Sequence, residues 1–306
     1  MADRPVPLAA SGRDHSLLLM LSAIWGGSFP LIRVAVASLP PLWVAGIRIA
    51  LGCLALLLLM RLRGVALPRG RAVWARLAYM GIVGNVAPFA LIGWGELHVP
   101  SALAAILMAM VPLMVVVVAH FRIPDEPLTA GKTLGVGLGF TGTLVLIGPS
   151  ALSGLGSHVA GELAILLATA CYASSAVVAR GLPPLNAGAA SAGMLLIAAP
   201  VGLLGAALVD PPWTLDPSLG SLAAAALLGF LCTGFGYVLF FSVLASAGAG
   251  FASMNNFMVP LFGVLYGWIA LAERLPSSAF AALALILLGL LAQRWRSGRA
   301  RTRSAL

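Results

Sequence analysis

The residues of this chain that could do chemistry lie inside apolar runs. The stretch GFASMNNFMVP, Gly250 to Pro260, sets Ser253, Asn255 and Asn256 ahead of a proline in mid-run. A side-chain amide without a partner is costly in hydrocarbon, and a proline removes a helix hydrogen bond. A membrane helix carrying both turns that face toward protein or water. An earlier stretch matches it. Gly81 to Pro112 and Gly229 to Pro260 each span 31 positions, and a shift of 148 sets Asn85 on Thr233, Phe89 on Tyr237, Met108 on Asn256 and Pro112 on Pro260. The pattern reads as two copies of one unit closing around a polar cavity.

Polar or aromatic residues deep in such runs are the candidates for the cavity wall: Trp25, Ser28, Asn85, Met108, Tyr172, Ser175, Thr233, Tyr237, Asn255 and Asn256. Amides, hydroxyls and rings can hold a small polar molecule without a fixed charge that would trap it. A ring face attracts an ammonium by about 0.5–2 kcal/mol. The competing reading is structural, because Asn, Ser and Thr also bond helix to helix in membranes. Asn255 and Asn256 differ by about 100° around a helix, so one of the two is expected to face inward.

Prolines interrupt several runs, at Pro30, Pro88, Pro112, Pro200 and Pro260, and Pro88 matches Gly236 in the other copy. Pro88, Pro112, Gly236 and Pro260 are candidate hinges, with a static kink as the alternative. Arg33, Arg48 and Glu96 fall toward one end of their runs. They could form an outer gate, or snorkel to the headgroups. No Asp, Glu or His occupies the centre of a run, and the three cysteines show no metal spacing. No metal and no cofactor is expected. A Ser or Cys nucleophile needs a base within reach, and none lies deep enough; HExxH, Walker and CxxC patterns are absent.

The elements that position these residues follow from composition. Of 306 residues, 61% are hydrophobic and 9% charged, against roughly 25% charged in a soluble domain. The mean hydropathy is +1.04. This is an all-α integral membrane protein in contact with the lipid bilayer. Spans of about 20 apolar residues cross the hydrocarbon, and ten are expected: about 17–37, 42–60, 73–95, 99–119, 131–148, 161–180, 187–208, 219–243, 250–270 and 277–295. With a cytoplasmic N-terminus, 15 of the 18 Lys and Arg fall on the inner side, as the positive-inside rule requires. Both termini are therefore placed in the cytoplasm. The net charge of +9 sits in loops and tails, which suits topology rather than nucleic acid. The first span imitates a secretory signal peptide. Its Trp25–Arg33 pattern recurs at Tyr172–Arg180, which argues that it is structural.

The whole chain reads as a single transmembrane domain, 1–306. Repeat one covers about 16–148, repeat two about 160–295, and a basic tail follows at 296–306. Five spans per copy is odd, so the copies are inverted. Inverted repeats build carriers with a midplane site between the halves.

At this point the chain resembles a known family. Trp25-Gly26-x-x-Phe29, Pro40-Pro41 with Arg48, Ala104-Ala105 through Pro112, Glu126, Gly135-x-x-x-Gly139-x-x-Gly142, and then Glu162, Tyr172 to Arg180, Pro260, Glu273 and Gly289 resemble the EamA-type transporters of the drug/metabolite transporter superfamily. Within that superfamily the chain is similar to bacterial aromatic amino-acid exporters. The resemblance implies ten helices and alternating access. It implies export of amino acids or related metabolites from a bacterial cell across its inner membrane. It also implies a cavity formed by spans 1, 3, 4, 6, 8 and 9. One departure is that Leu195 stands where the first copy has Arg48. An intramembrane hydrolase or acyltransferase and a channel are the competing functions. GxxxG at Gly135–Gly139 and Gly263–Gly267 could mark a dimer face or packing within the chain, so a monomer or weak dimer is expected. Span 10 lacks polar residues between its ends and is placed on the lipid-facing rim.

Overall fold

The structure is a computed structural model that describes residues 10–123, 126, 128–152 and 156–294. The basic tail at 296–306 and Trp295 lie outside the described residues. Ten helical spans follow one another: α1 (Gly12–Ala35), α3 (Arg71–Glu96), α4 (Ser101–Arg122), α8 (Leu219–Gly248) and α9 (Gly250–Leu271), with α2 (Pro41–Leu62), α5 (Ala130–Leu152), α6 (Ser157–Ala179), α7 (Ala187–Val209) and α10 (Ser277–Ala292). Among the described residues nine helices are long and apolar enough to cross a membrane, and α10 is a shorter apolar helix. No strand occurs among the described residues. The spans match the expected ones to within a few residues.

Their ends follow local chemistry. Ser11 and Asp14 form a capping box that opens α1, so the first orphan N–H groups are bonded. Pro41 sits in the first turn of α2, where its missing N–H costs nothing. Ala272 takes a left-handed φ of 52° and ends α9.

The packing is reciprocal. Helices α2 and α7, α4 and α9, and α5 and α10 pack as pairs. Helix α1 packs on α8 and α9 as α6 packs on α3 and α4, and α2 meets α8 as α7 meets α3. Exchanging each helix for the one five places later maps this pattern onto itself. Polar contacts between helix ends respect the up-and-down course. Asp14 accepts from Ser246 Oγ at 2.5 Å, Arg294 donates to Ser253 Oγ at 2.7 Å, and Arg180 bridges Glu126 at 2.6 Å. These join ends on the arginine-rich side. Trp43 Nε1 donates to the Asp210 carbonyl at 2.8 Å, Ser38 to Ser221 at 2.8 Å, and the Ser101 N–H to Glu273 at 2.8 Å. These join ends on the arginine-poor side.

Both GxxxG stretches are used within the chain. A Cβ on Gly135 would lie 2.5 Å from the Gly289 carbonyl oxygen, and one on Gly263 would lie 2.3 Å from Ala105 Cβ. Backbones this close tolerate nothing larger. Helix α10 buries Ala279, Ala282, Ile286 and Gly289 and exposes Phe280, Leu288 and Leu291. It packs mainly on α5, away from the polar centre.

Gly289→Ala is expected to lower stability by about 1–3 kcal/mol, the usual cost of overpacking, because its Cβ would stand 2.5 Å from the Gly135 carbonyl oxygen. Gly205→Ala, whose Cβ meets nothing within 4 Å, should change little. Thermal unfolding of the detergent-solubilised protein separates the two; equal melting would contradict the crossing.

Candidate binding cavity

A cavity of about 220 Å³ lies between the halves. Its walls include Trp25, Ser28, Met108, Tyr172, Thr233, Tyr237, Asn255 and Asn256, drawn from α1, α4, α6, α8 and α9. Asn85 and Ser175 do not line it. Asn85 is 2% exposed and sits one step behind the wall, where its Oδ1 accepts from Tyr237 Oη at 3.1 Å. Ser175 is buried against α3, where a Cβ on Gly84 would come within 2.2 Å of its Oγ. Phe29, Ile32, Arg48, Phe89, Ile92 and Cys232 also line the space. The matching of Phe89 with Tyr237 in the repeat was the signal available for Phe89.

Several wall groups are held by bonds across the bundle. Trp25 Nε1 donates to the Cys232 carbonyl at 3.0 Å, and its ring stacks on Phe240 at 5.6 Å and meets Tyr237 edge-on at 6.5 Å. Ser22 donates to Asn255 Oδ1 at 2.8 Å. Asn255 is buried and Asn256 is partly buried, and both reach the cavity. The expectation that one of the two turns away is corrected: the helix breaks at Ser253–Met254 and restarts at Asn255, so the pair sits on the irregular first turn.

Two features repeat between the halves. Helices α3 and α8 each contain a π-helical stretch, at Ile82–Val86 and Leu228–Phe235. In each, a polar side chain takes the carbonyl five residues back. Asn85 Nδ2 donates to the Met80 carbonyl at 3.1 Å, and Thr233 Oγ1 to the Leu228 carbonyl at 2.9 Å. A wide turn loosens the helical ladder and is frequent at functional sites. Gly236 directly follows the second stretch, and Pro88 stands two residues past the first. Pro112 follows a break in α4 at Ala109–Met110, and Pro260 lies inside α9. Their nitrogens cannot donate to the carbonyls of Met108 and Asn256, two matching residues that both line the cavity.

The expected gate takes another form. Arg33 donates to the Glu96 backbone carbonyl, not to its carboxylate. The last carbonyls of a helix lack helical partners and attract a cation. The Glu96 carboxylate is fully buried, and neither oxygen has a hydrogen-bond partner. Arg48 makes no ion pair with it among the described residues. Instead Arg48 is 7% exposed and donates from Nε to Thr233 Oγ1 at 2.9 Å. Its guanidinium lies 3.8 Å over the centre of the Phe89 ring, and it lines the cavity. The chamber is therefore not uncharged. The long Arg48 side chain reaches inward from α2 because a ring and a hydroxyl receive it there.

The reciprocal packing breaks down at the two ends. On the arginine-poor side, the second half of α1 packs against the first half of α4 and against α9, and the second half of α9 packs against α4. Glu273 locks this end by accepting from the backbone N–H groups of Ser101 and Ala102 at 2.8 and 2.9 Å. On the arginine-rich side the corresponding backbones, α6 against α9 and the second half of α4 against α9, do not approach comparably.

An all-helical bundle of membrane spans around a cavity lined by apolar, aromatic and a few polar side chains is the build of a multi-pass membrane transporter. The chain belongs to the EamA-like transporter family, whose model matches it twice, at residues 15–148 and 159–293. It is 25% identical to the "Uncharacterized transporter YoaV" of Bacillus subtilis over 89% of this chain and 94% of that one. It is 27% identical to the "Uncharacterized inner membrane transporter YedA" of Escherichia coli K12, over 88% and 87%. A relative named an S-adenosylmethionine/S-adenosylhomocysteine transporter, from Chlamydia trachomatis, is 26% identical over 89% and 86%. A solved crystal structure superposes with a TM-score of 0.66 at 20% identity, covering 94% of this chain and all of that one; it shares the fold. Membership of a transporter family sets the enzyme reading aside.

Thr233→Val is expected to cost about 1–3 kcal/mol of stability, because it removes the acceptor of the buried Arg48 Nε–H and leaves that donor unpaired. Thr233→Ser should retain most of it. Chemical unfolding of the two variants against the parent checks this; a Val variant as stable as the Ser variant would contradict the bonding assigned to Thr233.

Proposed function

We propose that this chain is a secondary transporter of a small amino-acid-like metabolite, working by alternating access about the central cavity. The observation that carries the reading is the cavity between the halves, with α9 packed on the first half of α4 at the arginine-poor end and not comparably on its second half at the arginine-rich end. In this reading the two matched segments are inverted copies, and the arginine-rich end is cytoplasmic. The chamber then leads toward the cytoplasm, with α4 and α9 bending at their prolines to exchange the open end. A bacterial inner membrane fits the family and the printed name of the Escherichia coli relative. Export is the direction the family resemblance implies; without coupling, flux follows the gradient.

The lining supports an amino-acid-like guest. Amides at Asn255 and Asn256, the Trp25 and Tyr237 rings and an apolar remainder suit a molecule that is polar at one end and apolar at the other. S-adenosylmethionine, named for one relative, also joins an amino-acid group to an aromatic ring system.

The test is counterflow in proteoliposomes with each of the twenty amino acids. A carrier preloaded with unlabelled substrate accumulates labelled substrate transiently, and Trp25→Ala together with Asn256→Leu should reduce that overshoot at least tenfold. An overshoot for none of the twenty would overturn the amino-acid reading. Flux without exchange would indicate a channel.

A further inference from the structure

We infer that Arg48 is the specificity-determining residue of the cavity, and that the chamber takes organic carboxylates whose anionic group docks on its terminal guanidinium N–H groups. This deepens the proposed function and rests on the cavity being the substrate site. An arginine carries five N–H donors. In Arg48 the Nε–H is bonded to Thr233 Oγ1, and the guanidinium plane is covered on one side by Phe89. The four N–H groups on its terminal nitrogens have no hydrogen-bond partner among the described residues, and the residue lines the cavity while only 7% exposed.

No carboxylate bridges it. Glu96 makes no ion pair with Arg33 or Arg48 among the described residues. A buried cation without an anionic partner is unfavourable, and an ionisable side chain inside a membrane protein marks a functional site by default. The planar fork of a guanidinium matches a carboxylate with two parallel hydrogen bonds. The Thr233 bond and the Phe89 ring hold that fork before any guest arrives, so little ordering is left to do on binding.

The site is also polar in direction. The position matching Arg48 in the other half is Leu195, fully buried among apolar neighbours. One end of the guest is therefore recognised as an anion, and nothing equivalent waits in the second copy. Phe29, Phe89 and Tyr172 lie beside it for an apolar or aromatic body, and Phe89 meets Tyr172 edge-on at 6.4 Å.

The test uses the full chain in lipid nanodiscs and three probes of one shape: L-phenylalanine, phenylacetate, which lacks the ammonium, and phenethylamine, which lacks the carboxylate. Thermal-shift titration should show binding of the first two and at least tenfold weaker binding of the third. Arg48→Gln should weaken the first two at least tenfold, and Arg48→Lys, which keeps the charge but loses the fork, should fall between. If Arg48→Gln does not fold, the Arg48→Lys and parent titrations still decide. Three results overturn the inference: phenethylamine binding as well as phenylacetate, carboxylate binding unchanged in a folded Arg48 variant, or no carboxylate binding to the parent. Counterflow of amines with no carboxylate would leave transport standing and remove this assignment. Carboxylate binding without counterflow would do the reverse.

Discussion

Hydrocarbon offers no hydrogen bonds, so a polar group inside this bundle is costly unless another part of the protein or water in the chamber answers it, and the buried Glu96 carboxylate is an exception. That constraint organises the centre. Trp25 answers the Cys232 carbonyl, Ser22 answers Asn255, Tyr237 answers Asn85, and Thr233 answers both Arg48 and the Leu228 carbonyl. Each of these bonds joins residues far apart in sequence or closes a loosened helical turn. Together they hold open a space that apolar packing alone would fill.

The two halves solve this constraint in parallel and then diverge. Both put a π-helical stretch before a proline or glycine in the third helix of the half, and both put a proline just past a cavity residue in the fourth. The divergence lies at Arg48 and Leu195. In the proposed mechanism the paired scaffold supplies two equivalent end states, and the one-sided charge of Arg48 orients the guest. Small residues carry the close approaches between these helices, as where Gly26 meets α9 and Gly263 meets α4.

Much of this was legible in the sequence, for identifiable reasons. Ten apolar runs separated by turn or charge signals fix the spans, because crossing the hydrocarbon demands length and little else. The shift of 148 pairs Phe89 with Tyr237 and Met108 with Asn256, and all four line the cavity. Three features were not legible. A π-helical turn has no composition of its own, so Asn85 read as a wall residue when it is a buried brace behind Tyr237. The depth of Arg48 depends on Phe89 and Thr233, which only the folded chain brings to it. The Glu96 carboxylate turns into the bundle while Arg33 finds only its backbone, a choice of rotamer that spacing does not encode.

The proposed transport requires the two ends of the chamber to open in opposition. Spin labels on a background without Cys53, Cys171 and Cys232 can report it by distance measurement. One pair, at Phe121 and Met254, spans α4 and α9 at the arginine-rich end; a second, at Leu97 and Trp268, spans the other end, all four positions being exposed. When a transported substrate is added, the account predicts that the first distance shortens in a fraction of molecules while the second lengthens in the same fraction. Two distances that move together, or neither moving under conditions that support counterflow, would contradict it.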